Sequence, residues 1–257
     1  MNIRDEAVLR ELNLYPLWVR RNAPAPLEQI EVQATSVAQA EVAVVQTPAE
    51  LPGIVNPAAE KNAESVSRPN ARSAESDWPA LKQQVRDCTA CKLRATCTQT
   101  VFGVGDENAE WRFVGDGPGA DEDAQGEPFV GQAGKLLDNM LAAIKLKRTS
   151  RVYIANVVKC RPPNNRTPEA DEIAQCLPYL QRQIELIKPK LIVALGKTAA
   201  TALLGHDATL GSLRGRVHDY RGIPLIITYH PAYLLRSPAE KAKAWQDLCL
   251  AVTTHSA

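Results

Sequence analysis

Four short apolar segments, separated by stretches with helical periodicity, constrain the fold of this chain more than any other feature. They cover residues 111–115, 152–158, 191–195 and 224–229. Near-continuous apolar runs between helices are typical of strands in a parallel sheet, and right-handed crossovers place helices on both of its faces. The pattern predicts an α/β fold, a three-layer α/β/α sandwich with a four-stranded parallel sheet.

Helix signals lie between these strands. Apolar residues repeat with a 3.6-residue period over about 133–146, which predicts a helix with one buried face. Thr167 and Pro168 fit the N-cap and first turn of the next long helix. Residues 237–240 read Ser-Pro-Ala-Glu, a capping box that predicts the start of the last helix.

The first 77 residues have a different composition. Residues 5–21 are helix-prone, whereas 23–76 are dominated by Ala, Pro, Glu, Gln and Ser, without an aromatic residue between Trp18 and Trp78. Such a segment buries too little apolar surface to order itself. We therefore expect a short helical element at 1–22, a flexible linker at 23–77 and a folded domain at 78–257, so that a disordered extension precedes the sandwich.

Charge and hydropathy limit the classes of protein. No apolar run is long enough to span a membrane, and the N-terminus is charged where a signal peptide is apolar, which predicts a cytoplasmic protein without a membrane partner. Between Asn139 and Pro168 there are seven basic residues and no acidic one. That stretch could face a polyanion, and an ordinary solvated face explains it equally well.

Polar residues follow the predicted strands at the edge where parallel sheets bind ligands. Asp116 is the only carboxylate in the turn Gly115-Asp116-Gly117-Pro118-Gly119, and it is suited to hold a water molecule. Asn156 offers donors and an acceptor that can read a pyrimidine edge. His230 can donate to an oxygen that gains negative charge. Each residue alone also fits a capping or turn role.

All six cysteines follow residue 87. Cys88 and Cys91 form a C-x2-C pair, and fifteen residues separate Cys160 from Cys176. Four thiolates suit either a 4Fe–4S cluster or a zinc ion. The second C-x2-C pair of a zinc ribbon is absent from the sequence.

Several segments together resemble a known family. They are the turn at 115–119, GEPFVG and AGKLL at 126–137, NVVKCRPP at 156–163, LGK at 195–197, LRG at 213–215 and HPAYLLR at 230–236. Over about residues 78–251 the chain resembles the family 4, iron–sulfur uracil-DNA glycosylases. The resemblance implies that 78–257 is a catalytic domain that flips uracil out of DNA and hydrolyses its N-glycosidic bond, which initiates base excision repair.

The resemblance also implies a substrate pocket. Phe129 would stack on the flipped base, and Asn156 would hydrogen-bond its O4 and N3 edge. Glu122 would stand near C5 and exclude the methyl group of thymine, although a solvated loop residue explains it as well. The implied substrate-binding residues are Gly115, Gly117, Pro118, Glu122, Phe129, Asn156 and Leu234.

For catalysis, the resemblance implies that His230 stabilises charge on the uracil O2 while Asp116 orients water. The family usually has Glu at the position of Asp116, so this carboxylate reaches one methylene less far. Leu234 or Leu235 would fill the gap that the flipped base leaves in the DNA. The residues implied to hold DNA phosphates are Arg214 and Arg236, together with the basic stretch at 145–166.

The resemblance selects a 4Fe–4S cluster as cofactor, with Cys88, Cys91, Cys160 and Cys176 as its ligands. The expected partner is uracil-containing DNA, bound by a monomer. Residues 1–22 could dock on a repair or replication protein, or fold back on their own domain. A non-catalytic, uracil-sensing iron–sulfur protein is the alternative function. Residues 161–168 lack the histidine by which a related branch is trapped on DNA, so turnover is expected.

Overall fold

A computed structural model describes residues 78–256 of the chain. The predictions for the element at 1–22 and the linker at 23–77 lie outside the described residues. None of the helices within 78–256 is both long and apolar enough to cross a membrane.

The described residues contain a six-stranded sheet with the spatial order β1-β3-β2-β4-β6-β5. Its strands are β1 (Val104–Gly105), β2 (Trp111–Gly115), β3 (Val152–Asn156), β4 (Leu191–Leu195), β5 (Val217–Tyr220) and β6 (Ile223–Thr228). The four central strands are parallel, as predicted, while β1 and β5 are added antiparallel at the two edges. The edge strands escape prediction because β1 has two residues and β5 is largely exposed.

Helices cover both faces of this sheet. They are α1 (Trp78–Arg86), α2 (Ala120–Gln125), α3 (Gln132–Ala143), α4 (Ala170–Ile187), α5 (Lys197–Leu204), α6 (Leu210–Leu213), α7 (Pro231–Arg236) and α8 (Lys241–Ser256). On one face, Leu137 of α3 and Leu248 of α8 share a core with Phe113. On the other face, Leu180 of α4 packs in a core with Val114. The side chains of β2 therefore alternate between two cores, and the three-layer sandwich is confirmed.

Two helix starts differ from the sequence prediction. Helix α4 begins at Ala170 with Glu169 as its N-cap, because the main-chain N–H of Glu169 donates to the Glu172 carboxylate over 2.8 Å. Thr167 and Pro168 lie before the helix. The predicted capping box at 237–240 opens a short 3-10 turn, and α8 follows from Lys241.

Replacing the buried Phe113 tests this core. The side chain is 0% exposed in the second strand, so Phe113→Ala should lower the free energy of unfolding by about 3–5 kcal/mol. Leu235→Ala is the matched control, because Leu235 is 44% exposed and its loss should change stability by less than about 0.5 kcal/mol. Urea unfolding of both variants measures the difference, and equal losses would contradict the assigned core.

Candidate active site

The carboxyl ends of the four parallel strands open into one groove with a volume of about 1680 Å³. Loops that follow β2, β3, β4 and β6 contribute to its walls, as the position of ligand sites in open parallel sheets leads one to expect. The predicted site residues that line it are Asp116, Gly117, Pro118, Glu122, Phe129, Asn156, His230 and Arg236.

Gly115 brings two of these residues together at the floor of the groove. A Cβ atom at this position would lie 2.5 Å from Oδ1 of Asn156 and 2.6 Å from Cζ of Phe129. Such contacts are too short for any side chain, so glycine permits the close approach. At Gly117, a Cβ would likewise lie 2.8 Å from a methyl group of Val158.

Asn156 ends β3 with its residue surface only 1% exposed. Its Oδ1 atom is buried and has no hydrogen-bond partner among the described residues. An unpaired buried acceptor costs about 1–3 kcal/mol, so this oxygen is available to a donor from a water molecule or a ligand in the groove.

Phe129 supplies a flat apolar wall. Its ring is buried and stacks on the imidazole of His230, with centroids 5.5 Å apart and planes inclined by 30°. The backbone of Phe129 has φ 57°, in the left-handed region that a bulky residue rarely adopts. The chain therefore holds this ring in place against a local conformational preference.

His230 has a defined hydrogen-bonding role. It is the N-cap of α7, and its Nδ1 accepts the main-chain N–H of Ala232 over 3.1 Å. Burial, together with a smaller effect of the positive charge of Arg236, lowers the pKa of His230 to about 4. The imidazole is therefore neutral at pH 7, and with Nδ1 as acceptor its proton is on Nε2. A neutral N–H donor is thus available in the groove.

Asp116 is tied to the start of α5. Its Oδ1 accepts the main-chain N–H of Ala199 over 3.1 Å, and the side chain of Thr198 also donates to the carboxylate. Burial raises the pKa of Asp116 to about 6, although both hydrogen bonds oppose the shift. At neutral pH the group is a carboxylate that faces the groove from a largely buried position.

Glu122 joins two loops at the groove. One carboxylate oxygen accepts the main-chain N–H of Gly119 over 3.0 Å. The other accepts those of Val130 and Gly131, over 3.0 and 3.1 Å. These bonds connect the first turn to the loop of Phe129. Glu122 also lines the groove, so its exclusion of a methyl group at C5 stays a prediction.

The two leucines of α7 lie in different surroundings. Leu234 is 1% exposed and belongs to the core beside α3 and α8, so it cannot enter DNA without unpacking that core. The neighbouring Leu235 is exposed. The geometry therefore favours Leu235 as the residue that fills a gap in the DNA.

The two predicted phosphate ligands also differ. Arg214 donates through Nε to Asp247 over 2.7 Å, and its guanidinium lies 4.3 Å from the ring centroid of Tyr229. Its side chain is 10% exposed, so these partners leave it poorly placed for DNA. Arg236, in contrast, lines the groove.

The basic stretch between Asn139 and Pro168 does not form one continuous face. Lys159 is buried, and Arg148 donates to main-chain carbonyls. Arg151 forms an ion pair with Glu110. Arg166, at the end of this stretch, lines the groove. The positive charge that faces the groove is therefore smaller than the number of basic residues in the stretch suggests.

The four predicted ligand cysteines line one small cavity. Cys88, Cys91, Cys160 and Cys176 all contribute to its lining, and every described cysteine is a free thiol. The residues described include no group of three or more His, Cys, Asp or Glu arranged around a single ion. Four thiols that surround a cavity without converging on one point fit an iron–sulfur cluster, in which each cysteine binds a different iron atom.

A buried basic residue lies at this cavity. Lys159 lines it, and its Nζ donates to Oε1 of Gln183 over 2.9 Å. Arg112 donates to the same oxygen over 2.9 Å. Within residues 78–256, neither side chain is paired with a carboxylate. Burial lowers the pKa of Lys159 to about 7, and a negatively charged, thiolate-bound cluster would stabilise its charged form.

Comparison of the sequence with known proteins identifies the family of the chain. The family model described as "Uracil DNA glycosylase superfamily" matches residues 102–249. A type-4 uracil-DNA glycosylase of Archaeoglobus fulgidus is 46% identical over 166 residues, which cover 62% of this chain and 83% of the relative. The chain belongs to the type-4 branch of this superfamily.

Further type-4 uracil-DNA glycosylases give the same result. The protein of Pyrobaculum aerophilum is 42% identical over 182 residues, covering 68% of this chain and 92% of the relative. That of Thermotoga maritima is 45% identical over 165 residues, covering 63% and 85%. The matched region contains the strands and loops that form the groove.

This type-4 family member also has groove residues to which the sequence analysis gave no role. Lys197 and Thr198 line the groove after β4. The rule that ligands bind beyond the carboxyl ends of parallel strands would have identified both. Arg166, from the predicted basic stretch, also lines the groove while bound to the carboxylate of Glu172.

The raised pKa of Asp116 predicts a pH-dependent stability. Between its ordinary pKa of 3.8 and the folded value of about 6, the folded protein binds a proton that the unfolded chain has lost. Stability contributed by this proton is therefore lost as pH rises from about 4 to about 6.

Comparison with Asp116→Asn isolates this contribution, because the amide does not titrate. The free energy of unfolding of the wild type should fall relative to that of the variant by about 1–3 kcal/mol across this range. Chemical unfolding at a series of pH values measures it. Parallel profiles would show that the pKa of Asp116 is not raised.

Proposed function

We propose that the groove receives a uracil flipped out of DNA and that the protein hydrolyses the bond between this base and its sugar. The observation that carries the proposal is the unpaired, buried Oδ1 of Asn156 beside the ring of Phe129. The family of the chain supports the same reaction.

Asn156 accounts for the choice of base. Uracil has an N3–H donor next to its O4 acceptor, so Oδ1 can accept from N3–H while the amide NH₂ donates to O4. Cytosine presents the opposite order of donor and acceptor along this edge. A mismatched pattern would leave the buried Oδ1 of Asn156 unpaired, which costs about 1–3 kcal/mol relative to uracil.

Phe129 and Gly115 account for the fit of a flat ring. Extrusion of a base from the DNA stack costs a few kcal/mol, and stacking on an aromatic side chain offsets part of this. The missing side chain at Gly115 lets Asn156 and the Phe129 ring pack directly against the strand backbone, which sets the amide beside the ring. Gly117 and Pro118 complete the turn that approaches the base.

His230 and Asp116 divide the charge that develops on bond cleavage. The leaving uracil gains negative charge at O2, and the neutral Nε2–H of His230 stabilises it without a change in protonation. The sugar gains positive charge, which the Asp116 carboxylate stabilises while it orients the attacking water. Main-chain N–H groups of the first turn add further donors to O2.

Cations around the groove bind the DNA backbone. Arg166, Lys197 and Arg236 line its walls, and Leu235 extends from α7 towards the solvent. Phosphate contacts of this kind release counterions from DNA, so binding weakens steeply with added salt. Arg214 stays inside the protein and supports the groove through Asp247.

Cys88, Cys91, Cys160 and Cys176 would hold a 4Fe–4S cluster in the cavity that they line. Bound there, the cluster would crosslink the segment after α1, the loop after β3 and helix α4. Lys159 supports this arrangement from within, because its main-chain N–H donates to Sγ of Cys176 and its Nζ to the carbonyl oxygen of Asn156.

The wider setting follows from this activity. The protein acts as a monomer in the cytoplasm, where it initiates base excision repair by removing uracil.

Base release from DNA tests the proposed reaction. The protein should release uracil from a labelled oligonucleotide and leave a matched thymine oligonucleotide intact. Asn156→Ala and His230→Ala should each lower the single-turnover rate by about 10²–10³-fold, since each removes a hydrogen bond to the reacting base.

The exposed residues Asn108 and His206 provide matched controls. Asn108→Ala and His206→Ala should retain the wild-type rate. If the wild type binds uracil-containing DNA but releases no base, the protein is a non-catalytic sensor and the proposed reaction is wrong.

Cofactor content tests the cysteine assignment independently of activity. Anaerobically purified wild type should contain about four iron and four sulfide atoms per chain. Cys176→Ser should lose most of both, whereas Cys249→Ser, which alters an exposed cysteine outside the cavity, should retain them. Zinc in place of iron, or unchanged iron in Cys176→Ser, would contradict the assignment.

A further inference from the structure

The loop that carries Phe129 is held on its carbonyl side by one arginine. Nη1 of Arg148 donates to the carbonyl oxygen of Pro128 over 2.7 Å, and Nη2 donates to that of Phe129 over 2.7 Å. The same guanidinium donates to Oδ1 of Asp138 on α3, over 2.9 Å from Nε and 2.8 Å from Nη2. Arg148 therefore joins the loop to a rigid helix.

The opposite side of the loop is held by an anion. Glu122 accepts the N–H groups of Val130 and Gly131, which directly follow Phe129. At Gly134 of α3, an added Cβ would lie 1.7 Å from the carbonyl oxygen of Phe129, so the helix backbone packs directly on the loop. Arg148 thus binds the carbonyl side of the loop and Glu122 binds its N–H side. Together they hold Phe129 in its left-handed backbone conformation, with φ 57°.

These contacts fix more than the backbone. The left-handed conformation of Phe129 sets the direction of its side chain, and the ring then stacks on His230. A planar guanidinium can bridge two consecutive carbonyls, whereas the ammonium of a lysine is a single point of charge. Arg148 is thus shaped to hold the loop in one orientation.

We infer that Arg148 is a positioning residue for base excision, which orients the Phe129 ring against which the flipped uracil stacks. The inference rests on the proposed function and adds a residue that does not itself touch the base. It replaces the role in phosphate binding that the basic stretch at 145–166 suggests. Its side chain is 18% exposed and already has three acceptor groups, which leaves little capacity for DNA.

A double-mutant cycle tests whether Arg148 acts through Phe129. Arg148→Met should lower the single-turnover rate on uracil-containing DNA by about 10–100-fold, with less than about 3-fold change in KM. In a Phe129→Leu background, the same substitution should lower the rate by less than about 3-fold, because the ring to be positioned is absent. Arg148→Lys should resemble Arg148→Met if bridging of two carbonyls matters.

Arg151→Met is the matched control. It removes a basic residue from the same segment, but Arg151 pairs with Glu110 outside the groove. This variant should retain the wild-type rate. Equal losses from Arg148→Met in both backgrounds, or full activity in Arg148→Lys, would overturn the inference. If Arg148→Met also reduced the salt dependence of DNA binding by the equivalent of about one phosphate contact, this result would overturn the inference too.

A measurement without DNA separates this inference from the proposed reaction. Proton NMR of the free protein should show the contact between the rings of Phe129 and His230 in wild type and Arg151→Met, and its loss in Arg148→Lys and Arg148→Met. Persistence of the contact in both Arg148 variants would overturn the inference whatever the activity. Absence of base release from the wild type would instead overturn the proposed function.

Discussion

The parallel pairing of β2 with β3 places Gly115 opposite Asn156, and the candidate site depends on this register. Because successive side chains of a strand point to opposite faces, a slip by one residue would turn Asn156 away from the groove. The missing side chain at Gly115 then lets the amide and the Phe129 ring approach the same backbone position. Sheet register and a single glycine thus create the surface on which a planar base can lie.

Burial at this edge of the sheet acts on two titratable groups in opposite directions. It raises the pKa of Asp116 to about 6 and lowers that of His230 to about 4. In both cases desolvation disfavours the charged form. At neutral pH the result is a carboxylate beside a neutral imidazole, the combination that suits a cationic sugar and an anionic base.

Sequence patterns predicted the central sheet because its strands are continuous apolar runs, and strand ends located Asp116, Asn156 and His230. Which side chains face the groove was harder to predict. Leu234 and Leu235 are neighbouring residues of the same type, yet tertiary packing buries the first and exposes the second. The pairing of Arg214 with Asp247 was not predictable from sequence, because Asp247 lies on a helix far along the chain.

Different segments of the chain supply the residues proposed to recognise the base and those proposed to stabilise charge. In the proposed function, base recognition uses Gly115, Phe129 and Asn156, which all belong to the segment from β2 to β3. The His230 donor and the groove cations Lys197 and Arg236 come from the segment after β4. Substitutions in the first segment that retain Asp116 would therefore change which base is accepted and leave the His230 donor in place. The hydrogen bond from Ala199 to Asp116 and the stacking of Phe129 on His230 both join the two segments, so an exchange of either segment must retain these contacts.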